Sequence, residues 1–146
     1  MTKYLTLAAS LVLFAAPALL HAQGGSANRA IDFNPNAPFS QAVVAGNTLY
    51  VAGQEGPDGG KLEGVSIETQ TTNAIAAITR VVEKAGFKMA DLVNVTVFVA
   101  DLDDVPKMNE IYKKLMPNPK PARATVKVAG LIGGAKIEIS AIAVKQ

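Results

Sequence analysis

The residues best suited to chemistry lie in two short alternating segments near the C-terminal end. Arg123, Thr125 and Lys127 fall on one face of a predicted strand, and Lys136, Glu138 and Ser140 on one face of another, because successive strand side chains point to opposite sides. If the chain turns about Leu131 and Ile132, the two strands form a closing hairpin. Thr125 then lies opposite Glu138, with Arg123 diagonal to it and the Cβ atoms roughly 7–8 Å apart. Such a pair has two readings. In one, Arg123 grips a substrate carboxylate through its planar fork of donors while Glu138 orients a water toward a C=N carbon. In the other, the two form an ordinary cross-strand ion pair that needs no ligand.

Composition narrows the alternatives. The chain has no cysteine, and its one histidine is His21. Residues 1–22 read as a secretory signal: Lys3 supplies the positive start, an apolar run extends from Tyr4 to Leu20, and Leu20-His21-Ala22 offers a cleavage site. Thr6, Ser10 and Pro17 interrupt the run, which falls short of the roughly 20 apolar residues of a spanning helix. The expected destination is the periplasm or the exterior, with membrane contact only during export. Gln23–Gln146 would then hold neither histidine nor cysteine, which excludes the usual zinc sites and nucleophile–base pairs. No metal or other cofactor is expected. Removing Lys3 takes the net charge from +2 to +1, with both signs interspersed, so nucleic acid is not an expected partner.

The elements that must position Arg123 and Glu138 follow from pattern. Residues 23–36 are rich in Gly, Ser, Asn and Ala and read as a mobile terminus, with the domain over 37–146 and its fold starting near Pro38. Ala42–Val44 and Leu49–Ala52 flank Gly46-Asn47 and predict a tight hairpin. Gln54 to Gly64 is a glycine-rich loop. Ser66 then caps a helix carrying Ile67, Ala74, Ile75, Ile78, Val81 and Val82 at helical spacing, which Gly86 ends. Over Asp91–Asp101, Val93, Val95, Val97 and Val99 alternate with polar or aromatic neighbours and predict an interior strand. Asp103 or Asp104 caps a second helix, Val105 to Leu115, with Val105, Met108, Ile111, Tyr112 and Leu115 facing inward.

Beyond these patterns the chain resembles the Rid family, the reactive intermediate deaminases, from Pro38 to about Val144. The resemblance is carried in order by Ala37–Val43 (APFSQAV), Gly46–Gln54 (GNTLYVAGQ), Val95–Val99 with Asp101-Leu102, Met108-Asn109, Pro121–Val126 (PARATV) and Ile137–Ala143 (IEISAIA). It implies an α+β fold, a mixed six-stranded sheet with two helices on one face, assembling as a chorismate-mutase-like homotrimer with sites in clefts between subunits. It also implies roles: Arg123 binds the carboxylate of an imine substrate and Glu138 places the hydrolytic water. Phe39, Ala52, Gly53, Asn109 and Thr125 would line the pocket. On pattern alone, Asn109 equally suits a half-buried bond to backbone, and Gly53 the relief of strain at a strand end.

Two positions depart from the family's usual residues. Phe39 and Ala52 stand where a tyrosine and a serine are usual, which makes the implied pocket more apolar, and Glu55-Gly56 replaces an apolar residue and a proline. The implied activity is hydrolysis of amino-acid-derived enamines or imines to 2-keto acids and ammonia. Rival readings are a small-carboxylate-binding protein without chemistry and a holdase for unfolding clients. An endoribonuclease is least in keeping with a chain lacking histidine in its mature part.

Overall fold

The computed structural model describes residues 27–55 and 62–146. The predicted signal, residues 1–22, lies outside the described residues. The strands are β1 (Arg29–Ile31), β2 (Ala42–Ala45), β3 (Thr48–Gln54), β4 (Leu92–Val99), β5 (Ala122–Lys127) and β6 (Ile137–Val144). The helices are α1 (Ile67–Lys84), between β3 and β4, and α2 (Val105–Leu115), between β4 and β5. The strands form one sheet in the order β1-β2-β3-β6-β4-β5. Neighbours are antiparallel except β4 and β5, which run parallel. The expected mixed six-stranded sheet with two helices is therefore present.

Local chemistry explains the well-predicted elements. The turn between β2 and β3 takes two residues, with Ala45 paired to Thr48 and Gly46 at φ +61°, a backbone region that costs glycine little. Ser66 caps α1 by accepting a hydrogen bond from the backbone N–H of Thr69 at 3.2 Å, and Gly86, at φ +84°, turns the chain away at the other end. Before α2, Asp104 occupies the expected N-cap position but makes no side-chain cap bond. A 3₁₀ turn over Leu102–Asp104 leads into the helix, and Asp101 caps that turn through the N–H of Asp103. Met108 and Tyr112 of α2 are buried, whereas Leu115 faces solvent.

The apolar core lies between one face of the sheet and α1 and α2. Ile137, Ile139, Ala141 and Ala143 of β6 meet Val95, Val97 and Val99 of β4, beneath Ile75, Ile78 and Val82 of α1. Gln70 ties these layers together from a fully buried position. Its Nε2 donates to the carbonyls of Leu62 and Val65, and its Oε1 accepts from the backbone N–H of Lys136 at 2.8 Å. All three bonds satisfy groups that would be costly to bury unpaired. One of them fixes the chain two residues before Glu138.

Three expectations need correction. The sheet begins at Arg29, because β1 pairs with β2 through Arg29–Val44, Ala30–Val43 and Ile31–Ala42, inside the segment read as irregular and ahead of Pro38. Val93 is exposed rather than inward: the β4–β6 register shifts between Leu92 and Asn94, and Leu92 takes the core position. Most consequentially, β5 and β6 are not a hairpin. Strand β6 returns to the middle of the sheet between β3 and β4, and β5 sits outside β4 at an edge.

Because β6 is buried between two partners, truncation there should be costly. Ile139→Ala is expected to lower stability by about 2–5 kcal/mol, read as a reduced urea midpoint at unchanged slope.

Candidate functional site

The pleat decides where the candidate residues point. In β5, Arg123 pairs with Val95, Thr125 with Val97 and Lys127 with Val99. Paired residues share a face, so Arg123, Thr125 and Lys127 stand on the helix side of the edge strand. In β6, Glu138 lies opposite Phe98 and Ser140 opposite Thr96. Their neighbours Ile137, Ile139 and Ala141 fill the core, so Glu138 and Ser140 stand on the open side of the sheet. The expected diagonal contact between Arg123 and Glu138 does not exist within the chain. The two residues occupy opposite faces of strands separated by β4.

Each residue organises its own half of the site. On the helix side, Arg123 Nη2 donates to Asn109 Oδ1 at 2.8 Å, and its guanidinium carbon lies 4.5 Å from the centre of the Tyr112 ring. Nη1 approaches Met108 Sδ at 3.9 Å. A neutral amide, an aromatic face and a thioether thus orient the cation without neutralising it. Among the described residues no carboxylate pairs with Arg123. Two hydroxyls on this side, Tyr112 Oη and Thr125 Oγ1, are enclosed and lack a hydrogen-bond partner among the described residues. Burial pushes the Tyr112 phenol above its ordinary range, against the pull of Arg123, so it stays neutral. The Asn109 side-chain oxygen is thus bonded to Arg123 rather than to a backbone group.

On the open side, β3 prepares a notch for Glu138. The β3–β6 register runs from Val51–Ala141 to Gln54–Ile139, leaving one extra residue on β3, a β-bulge containing Ala52 and Gly53. A Cβ at Gly53 would collide with Cγ, Cδ and Oε1 of Glu138. Gly53 is required by the close approach of that side chain. Gln54 returns to the buried side and bonds through Nε2 to Gln41 Oε1 at 3.0 Å and the carbonyl of Ala52 at 3.2 Å. Ala52 donates its N–H to the carbonyl of Gln41 at 2.9 Å. Phe39, 57% exposed, lines a hollow with Asp32, Asn34, Gln41, Arg80 and Val81, which Gln41 links to the bulge.

A residue outside the sequence-derived site set completes this half. Glu55, at the end of β3, has its carboxyl held above the ordinary 4.5, first by burial, then by the charge of Glu138 and a hydrogen bond with it; a backbone bond at Ile132 acts the other way. Its Oε1 is enclosed without a partner among the described residues. The sequence marks Glu55 as a departure from the family's usual apolar residue, but nothing local reveals its neighbour across the bulge.

A single six-stranded sheet of this order, backed by two helices, defines a small α+β domain, and at its edge stands an arginine that no carboxylate pairs with among the described residues. The family profile described as endoribonuclease L-PSP matches residues 29–145, and the chain belongs to that family. It is 40% identical over 114 residues to a RutC family protein of Pyrococcus horikoshii, covering 77% of this chain and 90% of that one. It is 40% identical over 112 residues to a protein of Dermatophagoides farinae named 2-iminobutanoate/2-iminopropanoate deaminase, covering 75% and 88%. Among solved structures, RidA from an Antarctic Psychrobacter matches with a TM-score of 0.70 at 34% identity, covering 80% of this chain and 94% of that one.

The raised Glu55 value has a thermodynamic consequence. Unfolded, this carboxyl titrates near 4.5; folded, it titrates higher. Between those values the folded state binds more protons, so its stability falls as pH rises through that window and is flat above it. Glu55→Gln should lack this decline, a difference visible in thermal midpoints of the two proteins compared from pH 4 to pH 8.

Proposed function

We propose that this chain hydrolyses imines and enamines derived from amino acids, releasing a 2-keto acid and ammonia. The observation that carries the reading is Arg123: a guanidinium oriented by Asn109 and Tyr112, with no acid partner among the described residues, is poised for a bidentate carboxylate. The deaminase names of relatives at this level of identity support the same substrate class. In this reading Arg123 fixes the substrate carboxylate, and Glu138 accepts a hydrogen bond from the water that attacks the C=N carbon. The enclosed hydroxyls of Thr125 and Tyr112 are available beside the anion. Catalysis comes from positioning and charge stabilisation, with no cofactor.

The two half-sites face away from each other in one chain, so the reading includes self-association. A homotrimer would bring the edge strand of one copy to the open sheet face of the next, joining Arg123, Asn109 and Thr125 to the partner's Glu138, Gly53, Ala52 and Phe39 in a cleft between them. Tyr50 and Val126 are exposed apolar side chains on the open side of the sheet, and such a contact would remove apolar surface of this kind from water. Phe39 and Ala52 in place of hydroxyl-bearing residues favour substrates with apolar side chains. Residues 1–22 are read as delivering the domain out of the cytoplasm.

Turnover of short-lived imines, generated by an amino-acid oxidase and followed by their decay, tests the reading directly. Arg123→Ala should abolish acceleration while leaving the fold intact, and Arg123→Lys should restore little, because an ammonium cannot reproduce the planar fork. Wild-type rates in Arg123→Ala would end the proposal. Mixing Arg123→Ala with Glu138→Gln chains, then allowing them to reassemble, should recover part of the activity lost in each, since some clefts would receive one intact half from each variant. Light scattering should give three times the chain mass; a monomer with full activity would exclude the shared cleft.

A further inference from the structure

We propose that Gln54 is a positioning residue: by bonding Gln41 across the β-bulge, its buried amide fixes the gap between the Glu138 notch and the loop that carries Phe39, and so sets which substrate side chains are accepted. This rests on the deaminase reading above and deepens it. Among the described residues three polar side chains are buried, those of Gln54, Gln70 and Thr71. Thr71 donates to the carbonyl of Ile67 within α1 at 2.7 Å, and Gln70 holds the chain ahead of β6. Gln54 is the one whose partners belong to the site. An apolar side chain of similar size would fill its place without the cost of desolvating an amide. What the amide supplies instead is a fixed geometry.

The Nε2 group of Gln54 donates to the carbonyl of Ala52 at 3.2 Å, reaching back over Gly53, and to Gln41 Oε1 at 3.0 Å. The main chain repeats the link. Ala52 donates its N–H to the Gln41 carbonyl at 2.9 Å, and Gln41 donates its own to the Ile31 carbonyl of β1 at 3.1 Å. Gln41 is thus held by β1, by β3 and by the Gln54 side chain, at the point where the loop from residue 32 rejoins the sheet. The other end of that loop is tied to α1 by the ion pair of Asp32 with Lys84. Between them Asn34 closes a turn, its Oδ1 accepting from the N–H of Asn36 at 2.9 Å and its carbonyl from that of Ala37 at 3.0 Å. A loop anchored at both ends presents Phe39, two residues before Gln41, in one place.

The same bulge receives Glu138, whose carboxyl occupies the space that a side chain at Gly53 would fill. Gln54 therefore braces the backbone beneath Glu138 and anchors the loop behind Phe39. An imine carbon carries a carboxylate, a nitrogen and a side chain. With the carboxylate on Arg123 and the attacking water on Glu138, the side chain is the group left to meet Phe39 and Ala52. The space open to it is the gap that the Gln54–Gln41 bond sets. A gap held rigid between apolar walls selects by size, with each methylene worth about tenfold or more in relative turnover.

Wild type should hydrolyse the imine of leucine with a higher kcat/KM than the imine of alanine, and Gln54→Leu in the full assembly should lower that ratio by about tenfold. Gln41→Met removes the acceptor at the other end of the bond and should lower the ratio equally. Phe39→Ala combined with Gln54→Leu should lower it no further than Phe39→Ala alone, as expected of residues that act through one another. An amide with a structural role only would alter stability and leave the ratio unchanged. Equal turnover of the two imines by wild type would overturn the proposal, as would an unchanged ratio in Gln54→Leu or additive losses in the double variant. Should Gln54→Leu not fold, Gln41→Met, at a half-buried position, carries the same comparison. A second measurement needs no substrate. Amide exchange followed by NMR should show the Ala52 N–H exchanging about tenfold or more faster in Gln54→Leu, with α1 protected as in wild type. Faster exchange in a chain that hydrolyses no imine would sink the deaminase reading and still support the anchor at Gln54. Arg123-dependent turnover with wild-type exchange at Ala52 would overturn the anchor alone.

Discussion

The placement of β6 between β3 and β4 is the constraint on which the rest depends. A strand buried on both edges and covered on one side by helices has no freedom of register, because a one-residue slip would exchange Ile137, Ile139, Ala141 and Ala143 for Glu138, Ser140 and Ile142 beneath the helices. The buried amide of Gln70 reinforces that register from α1 by holding the N–H of Lys136. Core packing and the direction of Glu138 are therefore one decision. The same decision pushes β5 to the outside, where it can pair only with β4 and must leave its other edge and Arg123 at the surface.

Much of this was legible from sequence wherever the signal is local. Ser66, Gly86 and the apolar spacing between them bound α1, and Gly46-Asn47 marks the β2–β3 turn, because caps and tight turns are set by a few adjacent residues. The extent of α2 was equally plain, and Asp104 stands at its N-cap as expected, although it makes no side-chain cap bond and Asp101 caps the preceding 3₁₀ turn. Strand partnership is different. Gly130–Gly134 looks like a hairpin connection, yet whether β6 folds back on β5 or crosses to the far side of β4 is settled by long-range packing that no five-residue window carries. The bulge that turns Val93 outward and the short β1 are likewise products of pairing rather than of propensity.

The candidate site was legible as a set of residues and illegible as an arrangement. Arg123 and Glu138 stand out by type and alternation, and Asn109 proves to orient Arg123 directly. Their grouping was misread because the assumed hairpin placed both on one surface. Gly53 shows how a position can be noticed for the wrong reason: its lack of a side chain serves Glu138, which is distant in sequence, more than its own strand. Glu55 could be seen only as an unusual residue until the bulge brought it beside Glu138.

The opposition of the two faces also protects the chain from itself. A cation and a carboxylate within reach of each other would close into an internal ion pair and have to be pried apart by every incoming molecule. Here the pleat and one intervening strand keep Arg123 resting on Tyr112 and Glu138 over the Gly53 notch. Within one chain neither charge can quench the other, so each is still unspent by the other when folding is complete.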